Sequence, residues 1–175
     1  MAYHDTEWGV PVHDDSLLFE YLVLDAFQAG LSWSTILNKR ENFAKAFDHF
    51  DAKKIAEYSD KKIAVLLKDA GIIRNQSKIV STISNAKLFL EVQKEFGSFD
   101  KFIWQFVAGK PMINKWKDKS QIPAHTAESD TLSKALQKKG FKFVGTTICY
   151  AFMQAAGMVN DHMVTCFRHK EIRNL

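Results

Sequence analysis

The sequence predicts an all-α protein, on three observations. Apolar residues recur at helical spacing along most of the chain, and capping residues stand where the stripes begin and end. Nowhere does an apolar–polar alternation persist between turn residues, so strands are not expected. The 175 residues suit a single domain, 1–175, long enough to bury a sizeable core, with room for two small helical lobes around a cleft.

The elements follow in order. Asp14 or Asp15 caps a helix that carries Leu17, Leu18, Tyr21, Leu22, Leu24 and Phe27 and ends near Gly30. A second stripe holds Ile36, Leu37, Phe43 and Phe47, and Asp51 and Ser59 read as N-caps of two short helices. In the latter, Ile63, Leu66, Leu67 and Ala70 repeat at i, i+3, i+4 and i+7 before Gly71 ends it. A longer helix is predicted over 77–96, with Ile79, Ile83, Ala86 and Leu90 on one stripe, and Ser98 opens another. Residues 109–125 contain Pro111, Pro123 and several lysines, and read as a long surface loop. A helix over 129–139 then meets Gly140.

Bulk composition narrows the setting without choosing a function. The chain is 46% hydrophobic and 13% aromatic, ordinary for a globular core. A net charge of +4 and a pI of about 9.0 are compatible with a polyanion partner, though basic proteins commonly lack one. Cys149 and Cys166 make no disulfide framework, and no leader or long apolar run is seen, so a soluble cytoplasmic monomer with no membrane contact is expected.

The segment 132–157 reads as helix, tight turn, helix. Gly140 and Gly145 bracket the turn, and the second helix opens on Thr146-Thr147. Free amides at such an N-terminus make a natural phosphate site. On spacing alone an ordinary αα-hairpin is the better reading of the pattern.

The residues around it add more. Lys139-Gly-Phe-Lys-Phe-Val-Gly-Thr-Thr-Ile-Cys-Tyr150 followed by Val159-Asn-Asp-His162 resembles the type I 3-methyladenine DNA glycosylases. So do Tyr3-His-Asp-Thr-Glu-Trp-Gly-Val-Pro11, Gln28-Ala-Gly-Leu-Ser-Trp33, Lys39-Arg-Glu-Asn-Phe43 and Asp69-Ala-Gly-Ile-Ile-Arg74, in the family's order. The resemblance implies a helix-hairpin-helix fold whose two helical lobes flank a base-binding cleft. It also implies excision of an alkylated adenine flipped out of double-stranded DNA.

A base methylated at N3 is cationic and already a good leaving group. Its pocket needs aromatic faces and an acceptor. The resemblance makes Tyr3, Trp8 and Trp33 the rings and Asp25 the catalytic carboxylate. Asp25 also stands out unaided, because a carboxylate among Leu22, Val23, Leu24, Ala26 and Phe27 needs a partner, a buried salt bridge being the plain reading. The family usually carries Glu there. A side chain one methylene shorter ends about 1.5 Å farther from the base, so either the pocket is shifted or water bridges the gap.

By the same resemblance Gly30 and Leu31 fill the space that the flipped nucleotide vacates, and Lys142, Gly145, Thr146 and Thr147 hold DNA phosphate. Gly30 as a helix C-cap with Leu31 as its apolar companion is the structural alternative. Asn160 falls where related glycosylases carry a catalytic Asp, which suits an enzyme restricted to cationic bases. Thr146 and Thr147 stand where lyase relatives carry a Schiff-base Lys, so monofunctional hydrolysis is expected. Two cysteines cannot hold an iron–sulfur cluster.

His162 and Cys166 form an i, i+4 ligand pair suited to one helical face. The resemblance makes them part of a structural zinc site with His4. The family's fourth ligand is a Cys ahead of the Tyr-His-Asp motif, and this chain starts at Met1-Ala2, so weak zinc binding is expected. Two other functions compete. A catalytically weak DNA-binding module would use the same hairpin, and release of a methylated base separates the two. A metal hydrolase on His4, His162 and Cys166 lacks an adjacent general base.

Overall fold

The computed structural model describes residues 2–175. Among them are ten α-helices: α1 (Ala2–Thr6), α2 (Asp15–Gln28), α3 (Trp33–Ala46), α4 (Ala52–Ala56), α5 (Asp60–Leu66), α6 (Gln76–Phe96), α7 (Phe99–Trp104), α8 (Ala127–Lys138), α9 (Thr146–Ala155) and α10 (Phe167–Arg173). The all-α expectation holds. No described helix is long and apolar enough to cross a membrane.

Caps set most of the boundaries. Asp14, Ser32, Asp51, Ser59, Asn75, Ser98 and Thr126 each accept a backbone N–H from the first turn of the following helix. α8 therefore opens before the expected Ser129, which serves instead as the third residue of a capping box with Thr126.

Three expectations need correction. α5 stops at Leu66, not at Gly71, because Lys68 and Asp69 donate to carbonyls only three residues back and the Asp69 carboxylate turns the chain by accepting from Gly71 N. Ala70 is accordingly exposed. Two short strands do exist, β1 (Met112–Ile113) and β2 (Val159–Asn160), paired in parallel. Two residues are too few to display alternation, and their partners lie far apart in the sequence. Finally, His162 and Cys166 are not helical. A turn closed by Cys166 N donating to Met163 O brings them together ahead of α10.

α2 is the centre of the molecule. Leu18, Phe19, Tyr21, Leu22, Val23, Leu24, Ala26 and Phe27 are all buried, leaving no solvent face along its last turns. It packs against α3, α6, α7 and α9. Its first turn is tied down as well: the Asp15 carboxylate accepts from Phe99 N and Asp100 N, at the open end of α7.

The N-terminal segment is stitched to the end of α9. Gly9 N donates to Gln154 O and Val12 N to Ala156 O. Gly157 makes this approach possible. It lies at φ +68°, and a Cβ there would stand 2.3 Å from Val10 C and 2.4 Å from Pro11 N. Gly157→Ala is therefore expected to cost at least about 2 kcal/mol, from left-handed strain plus overlap with backbone that cannot yield. Urea unfolding measures it, and a cost below roughly 0.5 kcal/mol would contradict the close approach.

Candidate active site

Asp25 lies on the last turn of α2, where the helix has no wet side. It is 2% exposed, and its Oδ2 has no hydrogen-bond partner. The buried salt bridge, the structural alternative for Asp25, is absent among the described residues. Burial alone holds the carboxyl well above the usual carboxylate range. An unpaired buried acid destabilises a fold, which makes it a candidate for function.

The acid faces a cavity of about 210 Å³. Tyr3, Trp8 and Trp33 supply aromatic walls, Gln28 and Gln154 supply amides, and the small Ala151 and Ala155 on α9 leave the space open. The Tyr3 and Trp33 rings lie 5.4 Å apart, tilted by 48°. Trp33 Nε1 is a second buried polar atom with no partner. The Tyr3 hydroxyl is held protonated, first by burial and then by the neighbouring Asp25 carboxyl whenever that group is ionised. All four expected pocket residues thus meet at one cavity.

Local chemistry explains their placement. Trp33 is the first residue of α3, aimed by the Ser32 cap. Tyr3 and Trp8 ride on the N-terminal segment, which Arg40 clamps from α3. Its guanidinium donates to Glu7 at 2.7 Å and to Glu20 at 2.6 Å. The arginine of the Lys39-to-Phe43 motif is therefore a brace for the pocket wall.

At the end of α2, Gly30 adopts φ +78° and Leu31 is 39% exposed, an apolar side chain presented to solvent beside the pocket. Lys78 holds this corner. Its buried ammonium donates to Phe27 O at 2.8 Å and Ala29 O at 2.6 Å, carbonyls that the helix itself cannot satisfy. Desolvation lowers the Lys78 pKa. Lys78 was not anticipated, since on α6 it precedes an apolar stripe without any distinguishing motif.

The α8–α9 turn is likewise fixed from α6. The Asn85 side chain accepts from Lys142 N at 2.8 Å and donates to Lys142 O at 2.9 Å, while Ser133 donates to Val144 O at 2.6 Å. Lys142, Gly145 and Thr147 are exposed, and no side chain caps α9, so its first amides point outward. Thr146 contributes its amide alone, because its hydroxyl already donates to Asp130 at 2.5 Å.

A second buried carboxylate, Asp161, was not expected to matter. It is fully satisfied: Asn114 Nδ2 and Trp116 Nε1 donate to Oδ1 at 2.7 Å each, and the Tyr150 hydroxyl and Gln154 Nε2 donate to Oδ2. The long loop after α7 is thereby anchored by two of its side chains. Asn160 is committed elsewhere. Its Nδ2 donates to His169 O and its Oδ1 accepts from His162 N, so its side chain bolts the C-terminal segment.

His4, His162 and Cys166 converge, with one ligand atom from each lying within 4.8 Å of the others. Cys166 Sγ is 3.6 Å from His162 Nδ1 and 3.9 Å from His4 Nε2. His162 Nε2 lies 2.9 Å from Trp8 O, the second contact that a metal-binding imidazole makes when its other nitrogen is the ligand.

Asp25 also gives the fold a pH signature. The unfolded chain ionises this carboxyl near ~3.9, whereas the native state retains the proton to higher pH. Between those limits the native state binds the extra proton, so stability falls as pH rises. Asp25→Asn removes the effect. Its stability gain is expected to be small at about pH 4 and to reach about 1 kcal/mol or more, roughly 2–4 °C in Tm, at about pH 7. Thermal melts at both pH values test this, and equal gains would contradict a neutral buried acid.

Comparison with known proteins places this geometry. The sequence model of the family described as "Methyladenine glycosylase" matches residues 1–169. The chain is 51% identical over 166 residues to DNA-3-methyladenine glycosylase 1 of Escherichia coli K12, covering 95% of this chain and 89% of that protein. It is 46% identical over 164 residues to DNA-3-methyladenine glycosylase of Haemophilus influenzae, covering 94% and 89%. A crystal structure of 3-methyladenine DNA glycosylase I superimposes with a TM-score of 0.93 at 51% identity, over 95% of this chain and 91% of the other. A structure from Staphylococcus aureus, described as showing the basis of 3-methyladenine recognition, gives 0.92 at 35% identity, over 95% and 88%. With matches of that extent, and with a buried acid and aromatic walls meeting at one cavity, the chain belongs to the methyladenine glycosylase family.

Proposed function

We propose that the chain excises 3-methyladenine from double-stranded DNA, as a monomeric hydrolase that flips the damaged base into the Asp25 cavity. The observation that carries this reading is the unpartnered, fully buried Asp25 carboxyl facing aromatic walls. A neutral pocket wall would not leave an acid unpaired. A cationic base supplies the missing charge, lowering the Asp25 pKa on entry so that carboxylate and cation pair out of water. Tyr3, Trp8 and Trp33 add ring faces for stacking and cation–π attraction.

The bond broken joins the sugar C1′ to the base N9. Its electron pair returns to the base and cancels the positive charge, so the leaving group is neutral. Water adds to the electron-poor sugar and releases a proton to solvent. No lysine stands at Thr146 or Thr147 to form a Schiff base, which supports hydrolysis without strand cleavage. The base carries its positive charge before the bond breaks, so the pocket need only hold and orient it.

Leu31 on its free Gly30 turn is suited to occupy the gap in the duplex, and the helix-hairpin-helix formed by α8 and α9 offers Lys142 and the amides from Thr146 onward to phosphate. Trp33→Ala and Asp25→Ala are each expected to slow single-turnover release of 3-methyladenine at least roughly 100-fold while circular dichroism stays unchanged. Near-normal rates in both would remove the pocket assignment. Binding without any release by the wild-type chain would favour a DNA-binding module.

The His4, His162 and Cys166 cluster fits zinc, and the proposal extends to a structural ion there. Its spacing suits ligands sharing one tetrahedral ion, and the Trp8 carbonyl fixes His162 so that Nδ1 faces the cluster. Such an ion would tie α1 to the segment before α10. Three described ligands hold zinc loosely, so added zinc is expected to raise Tm reversibly and Cys166→Ser to abolish the rise. Elemental analysis after dialysis against a chelator checks it. Stoichiometric retained zinc would mean that a fourth ligand has joined.

A further inference from the structure

We propose that Gln154, its amide turned by Asp161, is the group by which the base pocket prefers alkylated adenine to alkylated guanine. The inference rests on the pocket receiving a flipped base and adds the polarity with which it reads that base.

Charge and stacking cannot supply this preference. A guanine methylated at N3 is as cationic and as flat as the corresponding adenine, so attraction to the Asp25 charge and stacking on the aromatic walls treat the two alike. The bases differ at the six position, where adenine carries an amino donor and guanine a carbonyl acceptor. Discrimination there needs a pocket group whose hydrogen-bonding polarity is fixed, because a free amide simply rotates to suit either base.

Gln154 is fixed in this way. It lies on α9 one turn after Tyr150, and both reach the same oxygen of Asp161. Asn114 and Trp116 saturate the other oxygen. Four donors converge on the carboxylate, so Gln154 can meet it only with Nε2, at 2.8 Å. Its Oε1 is then the end left over. The side chain lines the Asp25 cavity, and no protein donor among the described residues claims that oxygen. Gln28, the other amide on the cavity, has no comparable anchor, so nothing fixes which of its ends faces the base. Gln154 thus offers the pocket an acceptor, which attracts an adenine amino group and repels a guanine carbonyl.

Asp161 acts through Gln154 and is a positioning residue. Replaced by Asn, it offers a donor as well as an acceptor, and the Gln154 amide is free to turn over.

The test is single-turnover release of 3-methyladenine and 3-methylguanine from the same methylated duplex DNA. Gln154→Met keeps the volume and removes the acceptor. It is expected to lower the ratio of adenine to guanine release by about tenfold. Asp161→Asn is expected to lower the ratio in the wild-type background and to leave it unchanged in the Gln154→Met background, which a general loosening of the fold would not do. An unchanged ratio in Gln154→Met overturns the proposal, as does an Asp161→Asn effect of equal size in both backgrounds. Should Asp161→Asn fail to fold, the Gln154→Met ratio decides alone. A wild-type chain that releases neither base overturns the underlying pocket assignment and this proposal with it, whereas an active chain with an unchanged Gln154→Met ratio overturns this proposal only.

Discussion

The molecule is organised around one constraint: the helix that carries Asp25 holds that carboxyl away from the surface and without a partner among the described residues. α2 is surrounded by α3, α6, α7 and α9, and its other late residues are apolar. In such a setting a carboxyl keeps its proton until a positive charge arrives. The fold therefore bears a standing cost in the resting state, relieved when a cation enters the cavity. Under the proposed function, selectivity for a charged lesion would follow from this without any contact to the methyl group itself.

The two buried carboxylates show how environment divides labour between identical side chains. Asp25 has an unpartnered oxygen and faces the cavity; Asp161 accepts four hydrogen bonds and faces the loop between α7 and α8. Asp161 spends its charge on order, since it draws Asn114 and Trp116 out of a long irregular segment and onto α9. Asp25 spends none in the resting state. A sequence shows both merely as Asp, and what separates them is the supply of donors within reach.

Legibility divided along the same line. The all-α class, most helix ends and the four pocket residues could be read from local chemistry together with family motifs, because caps and apolar stripes act over a few residues. Asp25 was visible even without a motif, as a charge inside an apolar stripe. Features that depend on distant partners were not legible. β1 and β2 pair across about a quarter of the chain, Lys78 caps a helix some fifty residues away, and Gln154 matters only because Asp161 meets it. The helical reading of His162 and Cys166 failed for a related reason: i, i+4 spacing is shared by a helix face and a closed turn, and only the bond from Cys166 N to Met163 O distinguishes them.

The buried ammonium of Lys78 has a mechanical corollary. It grips the carbonyls of Phe27 and Ala29, on either side of Gln28, and the backbone regains freedom only at Gly30. The corner thus behaves as a clamp followed by a pivot. On the proposed reading, in which Leu31 enters the duplex, its movement would pivot at Gly30 while the Lys78 clamp holds the end of α2 that carries Asp25. Under that reading, probing and recognition would fall to neighbouring residues of one chain segment, with the Lys78 clamp standing between them.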